Sequence, residues 1–293
     1  MCASPQTAFK YRIERYAFDV WECSACASQF QYPLPKDAYA FYDEGYYTGT
    51  AGFHYQDERE KERYHNFVHD ARLNRIQEFL SAGRSKILDV GCAFGALVRA
   101  AERHGFEAYG LDVSAFAVRE GNKISEEAKN LVRFFQGDLL HLPRGAKKIF
   151  APRSFAAVTL IEVAEHLTKP RAAFETTYNL LHEGGVLVVQ TANFEGWQAR
   201  SAGSNYHYYL PGHLVYYTAT GLKKMLAEIG FREFREFFPV DFSLWAKWRK
   251  AWGDVSKAGD MGRFVKMSLY HLKSKFKWQG KPLTSSYVLY AIK

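Results

Sequence analysis

Residues 87–114 read ILDVGCAFGALVRAAERHGFEAYGLDVS, and this stretch decides the fold. The short apolar run around KILDV, residues 86–90, predicts a buried strand, and Gly91–Gly95 breaks it as a glycine turn. Ala96–His104 predicts a helix, and Glu107–Leu111 a second strand that ends at Asp112. Strand, turn, helix, strand and acid in this order form a parallel βαβ unit. A glycine turn ahead of a helix lets main-chain N–H groups approach a ligand closely. An acid at the tip of the next strand is placed to accept hydrogen bonds from a ribose diol. The turn itself reads Asp89-x-Gly91-x-x-x-Gly95, not the G-x-G-x-x-G that accommodates a pyrophosphate. A carboxylate beside the turn suits a cationic ligand better than a diphosphate.

The alternation continues downstream. A helix begins at about Ser114, and strands are predicted at Leu131–Gln136 and Phe155–Ile161. Pro170–Leu181 predicts a helix, Gly184–Gly185 a turn, and Val186–Thr191 a strand. Thr218–Ile229 predicts a helix closed by Gly230, followed by a strand at about Arg232–Phe238. The last strand, Ser286–Ile292, comes after a Trp- and Lys-rich insertion. Such alternation predicts an open, mostly parallel sheet covered on both faces. Upstream, residues 57–80 read as a helix ended by Ser81–Gly83, and residues 1–56 as irregular and aromatic.

Five segments in this order and spacing, DVGCAFG, LDVS, QGDLLHLP, VTLIEVAEHL and LHEGGVLVVQTAN, resemble class I S-adenosylmethionine-dependent methyltransferases, in particular the ubiquinone-biosynthesis-like branch. The resemblance is strong over residues 84–238 and looser in the flanks. It implies a Rossmann-like α/β fold with a seven-stranded sheet of order 3-2-1-4-5-7-6, the last strand antiparallel. It also implies a cofactor site in which Gly91 and Gly95 face S-adenosylmethionine, with Cys92 in the same turn. Asp89 lies near the methionine end and Asp112, with Val113 beside it, holds the ribose. Asp138 and Leu139 meet the adenine edge, and Ile161 ends the strand across the cleft. Residue by residue, a turn glycine at 91 and a cap at Asp138 are the alternative readings.

Glu162-Val-Ala-Glu165-His166 follows the strand at 155–161. If this turn is helical, Glu162, Glu165 and His166 share one face and could bind a divalent cation. The matching segment binds Mg²⁺ in relatives that methylate catechol-like quinone precursors or terminal ribose hydroxyls of small RNAs. The candidate for the further histidine found there is His213. Without a metal, His166 or His213 is the candidate general base. The alternative is that these residues only pin the loop.

Cys23-Ser-Ala-Cys26 resembles the second half of a zinc ribbon. A structural zinc needs four ligands, and upstream only Cys2 is available, with Ala27 where such ribbons carry glycine. The expectation is a metal-free remnant. The aromatic run from Tyr42 to Phe53 is a candidate lid over the cleft, or ordinary packing.

The chain has 293 residues and a net charge of +8, and residues 241–293 carry all of the excess: eleven Lys/Arg against three Asp/Glu. The same stretch holds four of the six tryptophans. Trp245, Trp248 and Trp252 fall with Phe242 at helical spacing. Met261, Phe264, Val265, Leu269, Leu272 and Phe276 form a second stripe, read as opposite Arg263, Lys266, Lys273 and Lys277. Three readings stand: helices packed on the domain, a rim that guides an anionic substrate, or a peripheral membrane contact. A neutral body with one basic segment does not fit a nucleic-acid binder. With no spanning helix, no signal peptide and few cysteines, the sequence reads as a cytoplasmic enzyme with possible contact to a membrane surface.

The expected organisation is an N-terminal segment at 1–56, a methyltransferase core at 57–240, a basic helical insertion at 241–284 and a final core strand at 285–293. The expected reaction is O-methylation of a small or lipid-linked acceptor: a saccharide, polyprenyl or phenolic intermediate. The rivals are RNA terminal-ribose 2′-O-methylation and a non-catalytic S-adenosylmethionine-binding protein.

Overall fold

The computed structural model describes residues 6–50, 57, 59, 62–80, 85–131, 133–252, 258–274 and 276–293. Three antiparallel strands come first: β1 (Thr7–Ile13), β2 (Phe18–Cys23) and β3 (Gln29–Tyr32). The N-terminal segment is therefore a small sheet and not irregular, as its aromatic composition had indicated. Alternation accounts for it: in β2, Phe18 and Val20 are buried while Asp19 between them is not. The short α1 (Glu44–Thr48) follows, then α2 (Glu62–Gln77), shorter than the predicted 57–80, whose expected terminator at 81–83 lies outside the described residues.

The core begins at β4 (Lys86–Val90), α3 (Ala96–Arg103), β5 (Glu107–Asp112), α4 (Ala115–Glu127) and β6 (Arg133–Gln136). It continues through β7 (Phe155–Ile161), α5 (Pro170–Leu180), β8 (Leu181–Ala192), α6 (Trp197–Ala202), β9 (Val215–Tyr216), α7 (Ala219–Ile229) and β10 (Glu233–Phe237). The insertion holds α8 (Leu244–Trp252), α9 (Ala258–Lys273) and a minimal hairpin, β11 (Lys277–Trp278) and β12 (Lys281–Pro282), ahead of β13 (Ser286–Ile292).

The seven core strands lie in the order β6-β5-β4-β7-β8-β13-β10. Counted along the chain, this is the expected 3-2-1-4-5-7-6, with β13 antiparallel to both neighbours. Alternate residues supply the two faces. Leu88, Val90, Leu187 and Val189 enter one core cluster; Ile87, Val186 and Val188 enter the other, with Leu73 and Ile76 of α2. Truncating a fully buried member such as Leu88 to Ala costs about 2–5 kcal/mol.

Local chemistry sets the helix ends. The Ser114 hydroxyl accepts the Ala117 N–H ahead of α4, and Thr218 accepts that of Gly221 ahead of α7. Pro170 opens α5 at a position where no N–H is needed. The predicted Gly184–Gly185 turn is instead a bulge inside β8. Phe155 pairs with Leu181, but Ala157 already pairs with Val186.

β4 is flanked by β5 on one side and β7 on the other, so the chain reverses its winding there. In an open α/β sheet, the crevice beyond the carboxyl ends of such strands is where ligands bind. The N-terminal sheet joins β9 through β3 and packs Ile13, Phe18 and Val20 against Ala192, Phe194, Tyr206 and Tyr209, covering the end of β8.

Candidate active site

A cavity of about 420 Å³ opens in that crevice, within the ~300–1,000 Å³ usual for small-molecule sites. Asp89, Gly91, Cys92, Gly95, Asp112, Val113, Asp138, Leu139 and Ile161 all line it. So do Glu162, Glu165, His166 and His213. One cavity thus gathers every residue expected of a cofactor site together with the acidic and histidine cluster.

The glycine turn carries positive φ at Gly91 (+68°) and Gly95 (+83°). A Cβ on Gly91 would stand 2.4 Å from Val163 Cγ2, and one on Gly95 2.1 Å from Phe134 Cζ. Backbone conformation and close packing therefore demand glycine here, whatever occupies the cavity. Gly95 is also the N-cap of α3 and offers no side chain to its first N–H groups.

Asp112, at the end of β5, is nearly inaccessible. Its Oδ2 accepts the Ala93 N–H at 2.9 Å; its Oδ1 accepts the Ser114 N–H at 2.9 Å and the Tyr47 hydroxyl at 3.2 Å. Burial pushes its pKa up, and these donors oppose that shift. Asp89 is held differently. Thr159 donates to its Oδ1 at 2.5 Å, yet burial still pushes its pKa up to about 7, with Arg72 pulling the other way. A cation brought to Asp89 would favour its ionised form. Asp138 caps no helix, since none begins directly after it; its Oδ1 accepts the N–H groups of Leu140 and His141, each at 2.7 Å, and so closes a turn. The Cys92 thiol is pushed well up by burial, so it is not a thiolate nucleophile.

The E-x-x-E-H turn is not one helical face. Glu162 adopts a left-handed φ of +56°, and only Ala164–His166 make a single 3₁₀ turn. Among the described residues, the ligand atoms that converge are those of Glu165, His166 and His213, all within 4.8 Å of one another. Glu162, expected as a ligand beside Glu165 and His166, is outside that group. Its Oε1 accepts the Gln190 amide at 2.7 Å, and its pKa is pushed up to about 8 by burial and by the neighbouring Glu165. Glu165 is buried and accepts the Thr191 hydroxyl at 2.9 Å.

The two imidazoles are matched. His166 Nδ1 lies 2.7 Å from the Gly212 carbonyl and His213 Nδ1 2.9 Å from that of Tyr208. A carbonyl only accepts, so each Nδ1 carries the hydrogen and each Nε2 keeps a lone pair. Burial lowers both pKa values, that of His213 to about 3 with His166 adding to the effect. The rings lie 4.9 Å apart. One carboxylate and two neutral imidazoles with their second nitrogens already donated make a set that fits a divalent cation.

The aromatic run expected as a lid or as packing supplies specific contacts, and Arg72 and Gln190 join the site without having been singled out from sequence. Tyr47, on α1, donates to Asp112, and Tyr42 sets its ring edge-on 5.8 Å from His166. The aromatic run through Tyr42, Tyr46 and Tyr47 therefore covers the cavity, while Phe53 lies outside the described residues. Arg72 of α2 donates to both oxygens of Asp241 (2.9 and 2.7 Å) and to Gln190 Oε1 at 2.5 Å. A guanidinium can only donate, so it fixes the amide with Nε2 toward Glu162. Gln190 was a visible signal: with Thr191 it interrupts the apolar run that begins VLVV.

In the N-terminal turn, Cys23 and Cys26 are buried together, and Ala27 takes the left-handed φ of +53° that glycine usually supplies. Cys2 lies outside the described residues.

A family model described as "Methyltransferase domain" matches residues 57–233. Ubiquinone biosynthesis O-methyltransferase of Psychrobacter arcticus is 28% identical over 143 residues, covering 43% of this chain and 54% of the relative. That of Coxiella burnetii is 24% identical over 143 residues, covering 48% and 58%. The chain thus spans only about half the length of these curated relatives. Among solved structures, geranyl diphosphate C-methyltransferase of Streptomyces coelicolor superposes with a TM-score of 0.53 at 15% identity, covering 83% of this chain and 85% of the neighbour. A SAM-dependent methyltransferase of Archaeoglobus fulgidus gives 0.50 at 17% identity, covering 80% and 98%. The match over more than half the chain, on a sheet with this strand order, places the protein in the methyltransferase domain family, as a class I S-adenosylmethionine-dependent methyltransferase.

Proposed function

We propose that the protein transfers the methyl group of S-adenosylmethionine to a hydroxyl oxygen of a small or lipid-linked acceptor, with Glu165, His166 and His213 at the transfer end. The observation that carries this reading is their convergence in the same cavity as Asp89 and Asp112. The name of the curated relatives, ubiquinone biosynthesis O-methyltransferase, supports an oxygen acceptor.

S-adenosylmethionine supplies an already activated sulfonium methyl, so the protein's task is alignment and an electron-rich nucleophile. Asp112 holds the sugar hydroxyls and Asp89 answers the ammonium group. Tyr42 and Tyr46 offer aromatic surface to a cationic centre. Glu165, His166 and His213 orient the acceptor hydroxyl, and a free imidazole Nε2 accepts its proton. As the alternative to that proton transfer, the same Nε2 atoms with Glu165 would hold a divalent cation, which would lower the pKa of a bound hydroxyl. Two nitrogen donors suit Mn²⁺, Co²⁺ or Zn²⁺ better than the Mg²⁺ expected from a carboxylate-rich set.

The test is tritiated-methyl transfer to catechol-type acceptors, before and after dialysis against chelator, with single metals added back. Turnover that falls and is restored supports the cation; turnover untouched by chelator removes it. Methyl incorporation only at nitrogen or carbon would remove the oxygen acceptor.

A further inference from the structure

An amphipathic helix on a folded domain normally turns its apolar stripe inward. α9 does the reverse. Met261, Val265, Leu269 and Leu272 recur at helical spacing, and they are 43, 50, 51 and 55% exposed. The helix is held from its other side. The ring of Phe264 meets Trp248 and Trp252 of α8 at 6.3 and 6.1 Å, and His271 and Ser274 are buried. α8 is in turn fixed to α2, where Trp245 meets Phe67 and Arg249 lies over both rings. Of the fifteen large apolar side chains exposed among the described residues, nine belong to residues 245–278. Such concentration marks an interaction surface.

Charge identifies the partner. Residues 244–281 hold ten Lys/Arg and two Asp. Lys266 and Lys273 are exposed and each follows directly on a stripe residue, Val265 and Leu272, so their ammonium groups flank the stripe and do not oppose it. A second copy of the chain would set like charge against like. Nucleic acid would answer the charge but leave an aliphatic stripe with nothing to meet. An anionic lipid bilayer answers both, acyl region to the aliphatics and headgroups to the lysines, with tryptophans at the boundary. No helix of the described residues is long and apolar enough to cross a membrane, so the contact is a surface one.

We propose that α8 and α9 dock the protein on an anionic lipid surface through the stripe Met261–Val265–Leu269–Leu272 and its flanking lysines. The contact does not depend on which acceptor is methylated.

The test floats the full chain with vesicles of pure phosphatidylcholine, and with vesicles containing about a quarter phosphatidylglycerol. The expected result is binding to the anionic vesicles alone, weakened by salt and reduced at least about tenfold in the Val265→Asp, Leu269→Asp double variant. That variant should bind S-adenosylhomocysteine as the parent does, which shows it folded and separates this contact from the cofactor site. No binding to anionic vesicles, or binding that survives the double variant, overturns the proposal. A dimer in solution lost in that variant assigns the stripe to a second copy, and single-stranded RNA that outcompetes the vesicles assigns the face to nucleic acid; either result overturns it too.

Discussion

The two ends of the cavity are built by opposite means. At the cofactor end, the turn 91–95 and Asp112 come from one βαβ unit, and main-chain N–H groups of Ala93 and Ser114 fix the carboxylate. At the transfer end, Glu165 and His166 meet His213 from nearly fifty residues away, and carbonyls of Gly212 and Tyr208 set both imidazoles. The first end takes its turn and its ribose-facing acid from contiguous chain, with only supporting contacts from elsewhere. The second depends on the loop 203–213 and on the segments packed over it, so its chemistry can be removed while the cofactor end stays intact.

The sharpest way to break the comparison is Glu165→Gln. Turnover should fall by about 10²–10⁴-fold while S-adenosylhomocysteine affinity stays within a few-fold of the parent, read by calorimetry beside the methyl-transfer assay. Loss of both together would mean that the two ends are not separable.

Next in size is the link from the insertion to the catalytic loop. Asp241 is fully buried and, despite desolvation, the Arg72 guanidinium holds its carboxyl below the usual range. Asp241→Ala strands that guanidinium and should cost about 3–5 kcal/mol. It also frees Gln190 from its fixed orientation. Thermal melting should show a drop of about 2–4 °C per kcal/mol for a chain of this size. An unchanged midpoint would mean that the pair contributes little.

The smallest effect concerns the cofactor end alone. In the free protein Asp89 titrates at about 7, between Thr159, Arg72 and Asp112. A ligand ammonium favours the carboxylate, so below that pH the site must release a proton to bind. S-adenosylhomocysteine affinity should weaken by about tenfold per pH unit as pH falls from 7 to 5. A flat profile would show that the ammonium is held elsewhere.

The same locality explains what was legible. Residues 87–114 sufficed for the βαβ unit because strand, turn, helix and acid are contiguous and each follows from periodicity or glycine. The strand order and the antiparallel β13 followed from the family resemblance. The spacing 162–165–166 misled, since helical spacing presumed a helix, and Glu162 turns left-handed instead. Nothing local announced Tyr47 as a donor to Asp112, or the partnership of Arg72 with Asp241, because both bonds span long stretches of chain. The N-terminal sheet was legible in part: Phe9, Tyr11 and Ile13 alternate with Lys10 and Arg12, and Phe18 and Val20 flank Asp19, a period of two that the density of aromatics obscured only by suggesting an irregular segment. For the insertion, helical spacing left three readings open, and the side to which α9 turns its stripe depends on packing against α8, which no local pattern announces.

The most direct measurement is calorimetric titration of S-adenosylhomocysteine into the purified parent chain and into Asp112→Ala, with thermal melting to show that the variant is folded. The parent should bind with a clear heat, and the variant should lose at least about a hundredfold in affinity, the equivalent of two charge-assisted hydrogen bonds. A parent that gives no heat, or a folded variant that binds as tightly as the parent, would contradict the account.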